Sequence, residues 1–159
     1  MAKFKTRQGA IIDDIKTYVA NWIADKPDIK IYIGCDSQRT DGSVHYAVSI
    51  CMYNPGKGGH IVNRKTSYPV DNKFESKNKE AIFERLWKEV EMSVEVADQL
   101  KDLNAKITIH CDYNSDQSEL SNRLYGAGIG YAMDFGYEAE GKPLAWCSTY
   151  AADNAVRKY

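Results

Sequence analysis

The sequence has no C-x-x-C pair, no long apolar run, no signal-peptide pattern and almost no net charge. Each absence removes a class of protein. Structural zinc usually takes closely spaced cysteine pairs, whereas Cys35, Cys51, Cys111 and Cys147 stand alone. They read as buried thiols of a reducing compartment, most simply the cytoplasm. A membrane helix needs about 18 or more consecutive apolar residues, and no such run occurs. A net charge of −1 supplies no global basic field, which argues against a non-specific nucleic-acid coat protein. An enzyme that grips a few phosphates locally is still compatible with it.

With 43% hydrophobic and 27% charged residues, and no repeat or low-complexity stretch, residues 1–159 are expected to form one domain. Residues 9–25 carry Ile11, Ile12, Ile15, Val19, Trp22 and Ile23 at helical spacing, so 1–27 reads as an N-terminal helical extension stopped at Pro27. A strand over 29–36 follows. Two more strands, about 44–53 and 60–69, flank Asn54-Pro55-Gly56-Lys57-Gly58-Gly59. That turn lacks the spacing and Lys-Ser/Thr ending of a phosphate-binding loop and reads as a hairpin. Residues 75–103 form the longest expected helix, with an apolar stripe of Ile82, Phe83, Leu86, Val90, Val94, Ala97 and Leu100. A strand over 106–112 precedes a helix to about 134, whose Gly126, Gly128 and Gly130 suggest close approach to a neighbour. A last strand near 136–146 and a short helix from about Ser148 or Thr149 complete the chain. Strands joined by short turns should form an antiparallel meander, and strands separated by helices should add in parallel to the first.

Two of these strands are written alike. Ile31-Tyr32-Ile33-Gly34-Cys35-Asp36 and Ile107-Thr108-Ile109-His110-Cys111-Asp112 both end in aspartate. Alternate side chains leave a strand on opposite faces. If the strands lie side by side, the isoleucines and cysteines share one face, and Asp36 and Asp112 leave the other together. Paired carboxylates at strand ends suit a divalent metal. The long helix offers a third acid. At about 100° per residue, Glu80, Glu84, Glu91, Glu95, Asp98 and Asp102 fall on its solvated side, while Glu89 falls at the margin of the apolar stripe. Height agrees: the strand climbs roughly 23 Å to Asp112, which corresponds to roughly 15 residues back along the helix, at Glu89. Asp153 lies early in the closing helix, where the helix dipole alone also favours an acid.

Together these features resemble a ribonuclease-H-like nuclease, most closely the YkuK-like family of predicted ribonuclease-H-like proteins. The matching stretches are Tyr32-Ile33-Gly34-Cys35-Asp36-Ser37-Gln38, Gly56-Lys57-Gly58-Gly59, and Arg85-Leu86 with Glu89, Ser93 and Ala97. Further on come Ile109-His110-Cys111-Asp112, and Lys142-Pro143-Leu144-Ala145-Trp146 leading to Ala152-Asp153. They span roughly residues 28–158, with the N-terminal helix as an addition. The resemblance implies an α/β fold with a five-stranded mixed sheet, order 3-2-1-4-5, flanked by helices. It also implies a metal-binding, catalytic quartet of Asp36, Glu89, Asp112 and Asp153.

Carboxylate oxygens suit Mg²⁺ or Mn²⁺. Two such ions about 3.5–4 Å apart support in-line phosphodiester hydrolysis. Asp36 would bridge both, Glu89 and Asp112 would complete one site, and Asp153 would hold the other. The expected partner is a nucleic-acid substrate: RNA, an RNA–DNA hybrid or DNA. Lys57, Arg64, Lys65, Lys73, Lys77 and Lys79 form a basic stretch that would grip it. His110, on the same strand face as Asp112, is the histidine nearest to a proton-transfer role. A non-catalytic nucleic-acid-binding or regulatory module with the same fold is the alternative. A small-molecule phosphatase using Asp36 as nucleophile is disfavoured, because Gln38 stands where a second aspartate is usual.

Overall fold

The computed structural model describes residues 2–40, 42–70, 79–111, 119–141, 147 and 152–156. The chain runs β1 (Phe4–Thr6), β2 (Ile11–Ile12), α1 (Ile15–Ile23), β3 (Lys30–Thr40), β4 (Ser43–Asn54) and β5 (Gly58–Pro69). It continues through α2 (Lys79–Leu100), β6 (Lys106–His110), α3 (Glu119–Asp134), β7 (Glu138–Glu140) and α4 (Asp153–Val156).

β3, β4 and β5 form the expected antiparallel meander. β6 joins β3 in parallel and β7 joins β6 in parallel. The hairpin between β4 and β5 uses Gly56 and Gly58 at φ of 78° and 95°, a region that glycine enters without penalty. The sheet corrects the five-stranded expectation. Among the described residues it has seven strands in the order β2-β1-β5-β4-β3-β6-β7. The extra pair comes from the N-terminus: β1 lies antiparallel to β5, and β2 pairs with β1.

Ile11 and Ile12 therefore belong to a strand and not to the expected helix. Ile12 is buried and Ile11 exposed, the alternation of an edge strand. The helix begins only after Asp14, whose carboxylate caps it by accepting from the Thr17 backbone N–H at 3.1 Å. α1 then lays Trp22 on the imidazole of His60 of β5 (centroids 5.4 Å, 12° between planes), and Tyr18 meets His60 Nε2 at 2.6 Å.

The main core lies between the sheet and α2. Ile29, Ile31, Ile33 and Cys35 present one face, joined in register by Ile107 and Ile109, and receive Val90, Val94, Ala97 and Leu100. Burying a stripe of this kind holds an amphipathic helix in place. The opposite face is covered by α4, where Ala155 and Val156 rest on Ala47 of β4. Both faces of β4 are thus buried, which explains its near-continuous apolar run. At Gly126 and Gly130 of α3, a Cβ would meet no atom of the described residues within 4 Å.

Candidate active site

β3 supplies two successive side chains to opposite faces of the sheet. Asp36 pairs with Ala47 and Ser37 with Tyr46. Directly opposed residues share a face, so Asp36 lies on the α4 side and Ser37 on the α2 side. Glu89 stands above Ser37. Its carboxylate is buried, only 3% exposed, and accepts a 2.5 Å hydrogen bond from the Ser37 hydroxyl. One turn further along α2, the Ser93 hydroxyl donates to the Glu89 backbone carbonyl at 2.9 Å. The helix wheel placed Glu89 at the margin of the apolar stripe; it is inside.

Asp36 and Glu89 thus lie on opposite faces of the sheet, and the charges of both reach the Cys35 thiol. The Cys35 thiol is pushed well up, first by burial and then by the negative charges of Glu89 and Asp36, with Arg64 opposing. The Tyr46 hydroxyl is pushed up in the same way, by burial and then by Glu89. Two carboxylates thus concentrate negative charge around the C-terminal half of β3, inside a low-dielectric environment.

Asp112 lies outside the described residues. β6 ends at His110, paired with Gly34, and the Cys111 backbone N–H donates to the Glu140 carbonyl at 2.9 Å. Asp153 opens α4, described here by its backbone. That helix rests on Ala47, the register partner of Asp36, so it covers the face to which Asp36 points. Among the described residues no group of three or more potential ligands is gathered as a metal cage. The donor set itself, carboxylate oxygens with one buried and already hydrogen-bonded, fits a hard divalent cation such as Mg²⁺ or Mn²⁺.

Of the other acids in and just after α2, Asp98 departs from the solvated side on which the wheel puts it. Glu80, Glu84, Glu91 and Glu95 are exposed. Glu91 accepts from Trp87 Nε1 at 3.1 Å, and Asp102 pairs with Lys16 at 3.3 Å. Asp98, half-buried, accepts from the Tyr137 hydroxyl.

The basic stretch is not one patch. Arg64 pairs with Val48 and Lys65 with Ala47, so their side chains leave opposite faces. Arg64 lies over the Phe4 ring at 5.2 Å on the α2 side, while Lys65 shares the Asp36 face. Lys57 is at the β4–β5 turn, at the far end of the sheet. Lys73 and Lys77 lie outside the described residues, and Lys79 opens α2.

His110 is built into the interior. Its Nδ1 accepts the Cys147 backbone N–H at 3.0 Å, and its Nε2 is 3.2 Å from Glu140 Oε2. An accepting Nδ1 carries no proton, so Nε2 holds the ring proton and faces Glu140. Burial lowers its pKa to about 4. These contacts make it a strut between β6, β7 and the C-terminal segment. His45 bridges Thr40 (2.9 Å) and Ser67 (2.7 Å) on the sheet surface.

Sequence reasoning missed Ser37. The available signal was its position on the odd-numbered row of β3, after Ile31, Ile33 and Cys35, where a hydroxyl replaces an apolar side chain opposite the one acid of the helix stripe.

A family profile described as Ribonuclease H-like matches residues 10–157. The chain belongs to the ribonuclease H-like family. The matched region takes in α1. No curated protein matches the chain. No helix among the described residues is long and apolar enough to cross a membrane.

Proposed function

We propose that the chain is a divalent-metal-dependent nuclease hydrolysing phosphodiester bonds in nucleic acid. Asp36, Glu89, Asp112 and Asp153 would hold the metal, two ions of Mg²⁺ or Mn²⁺. Within the ribonuclease H-like family, the stretch Tyr32–Gln38 with Glu89 and Ser93 supports a place in the YkuK-like group. The observation that carries the reading is the buried Glu89 carboxylate, fastened by Ser37 one residue beyond Asp36. Burying an ionised carboxylate is costly unless it is compensated, and a helix stripe that only needed packing would carry an apolar residue there.

The bound ions would supply Lewis-acid stabilisation and a water of lowered pKa. The residues of the chain supply placement. β3 aims Asp36 toward the α4 face, and Ser37 fixes Glu89 from the other. Lys65, in the cross-strand row of Asp36 and Ala47, stands on the Asp36 face at about two strand spacings, roughly 10 Å. That spacing suits a contact to a neighbouring phosphate. His110, held neutral with its Nε2 proton toward Glu140, is structural in this reading.

Purified protein with Mn²⁺ or Mg²⁺, tested against labelled single-stranded RNA, RNA–DNA hybrid, DNA duplex and branched DNA, decides the matter. Cleavage of at least one substrate that is lost in Asp36→Asn and in EDTA is the expected result. Binding without hydrolysis of any of them would instead favour the non-catalytic module.

A further inference from the structure

We infer that Ser37 is a positioning residue for Glu89, and that its hydroxyl sets the affinity of the candidate site for divalent metal. The inference rests on the metal-dependent reading of that site. Glu89 reaches the sheet from a helix through three rotatable side-chain bonds, and a long carboxylate of this kind loses affinity for an ion unless its direction is fixed. The Ser37 hydroxyl fixes that direction by donating to Oε1, while Ser93 bonds only the backbone carbonyl of Glu89 within the helix.

The Ser37 bond joins a hydroxyl donor to a carboxylate acceptor, and bonds of this kind to an ionised acceptor are about twice as strong as neutral ones. It occupies one carboxylate oxygen of Glu89. Its donor is the residue after Asp36, on the opposite face of β3, in a stretch of the strand held in register by β4. A rigid strand places such groups more accurately than a loop does. The register partner of Ser37, Tyr46, is buried on the same face of the sheet.

Carboxylates that ligate metals are commonly oriented by such partners, and removing one typically costs about 10–100-fold in metal affinity. Ser37→Ala removes the donor without adding bulk. Ser37→Thr keeps the hydroxyl and suits a strand. Calorimetric titration of the full chain with Mn²⁺, in the absence of nucleic acid, reads the effect directly, and the melting temperature in EDTA reports the fold. The expected result is a dissociation constant raised about 10-fold or more in Ser37→Ala, near wild type in Ser37→Thr, and beyond measurement in Glu89→Gln. Should Ser37→Ala not fold, Ser37→Cys, nearly isosteric with a weak donor, is expected to show the same weakening. Loss of binding in Glu89→Gln with wild-type binding in both Ser37→Ala and Ser37→Cys would overturn the positioning role alone. Wild-type protein that takes up no Mn²⁺, or Glu89→Gln that binds as wild type does, would overturn the metal reading and this inference with it.

Discussion

Asp36 of β3 and Ala47 of β4 sit opposite one another in register, and Ala47 is the seat of α4. The small side chain lets Ala155 and Val156 approach the sheet beside Asp36, which is how a helix of four residues keeps a fixed place. Ala47→Leu should push α4 away. Overpacking of this kind costs about 1–3 kcal/mol, and it should reduce metal-dependent cleavage further than stability alone explains. The control is Val62→Ala, a fully buried change on the α2 side. If both variants, folded at the assay temperature, lose activity equally, the seat under α4 has no part in the site.

Tyr137 fastens the α3–β7 connection to α2 through its hydrogen bond to Asp98. Hydrogen bonds to charged groups contribute roughly 1.5–3 kcal/mol, so Tyr137→Phe should destabilise the protein by an amount near the lower end. The bond also carries a pH signature. Burial and the Asp98 carboxylate raise the phenol above its ordinary value of 10. The stabilisation is therefore complete below pH 10 and is lost as pH rises beyond it, because the unfolded chain ionises first. Urea unfolding at pH 8 and pH 10.5 should show a smaller alkaline loss for Tyr137→Phe than for wild type. Parallel losses would mean that the phenol is not held neutral by the fold.

Long patterned elements were legible from sequence and short or tertiary ones were not. The likeness of Ile31–Asp36 to Ile107–Asp112 foretold the parallel pairing of β3 and β6, since side chains alternate along any strand. Glu89 was legible as an acid at the edge of an apolar stripe. β1 and β2 were not, because three and two residues carry too little alternation, and Ile11 and Ile12 fit a helical spacing equally well. The division of Arg64 from Lys65 was available from alternation and was overlooked when the cations were grouped by proximity in sequence. Ser37 and His110 needed the tertiary arrangement. Nothing in a lone serine announces which helix will lie across it, and the partner of His110 Nδ1, Cys147, is far along the chain.

The four cysteines are buried and none is in a disulfide. Burial pushes the Cys35 and Cys147 thiols well up, so little reactive thiolate is present at neutral pH. Native protein should react with a thiol reagent only as fast as it unfolds, and all four groups should appear in denaturant. Cys35 and Cys111 follow one another in the row of Ile33 and Ile109, yet the sulfurs in contact are those of Cys51 and Cys147, 2.8 Å apart. Under forced oxidation with diamide, peptide mapping should find a Cys51–Cys147 link first. A Cys35–Cys111 link as the first product would contradict this placement of the thiols.

Metal and stability should be linked through the acids. Without metal, the charges of Asp36 and Glu89, on opposite faces of the sheet, both raise the Cys35 thiol. A cation that binds the folded state alone stabilises it by RT ln(1 + [L]/Kd), about 2.7 kcal/mol at a hundredfold excess over Kd. Millimolar Mn²⁺ should therefore raise the melting temperature of wild type by several degrees, on the order of 4 °C or more for a domain of this size. Asp36→Asn and Asp112→Asn should abolish most of the rise, with Asp153→Asn smaller in effect. Glu91→Gln is the internal control: Glu91 lies on the same helix two residues beyond Glu89, but it is exposed and bonded to Trp87. Its variant should keep the whole Mn²⁺ response. Equal loss in Glu91→Gln and Asp36→Asn would mean that the ion is answering the general acidity of the surface, and a site built from β3 and α2 would no longer be needed to explain it.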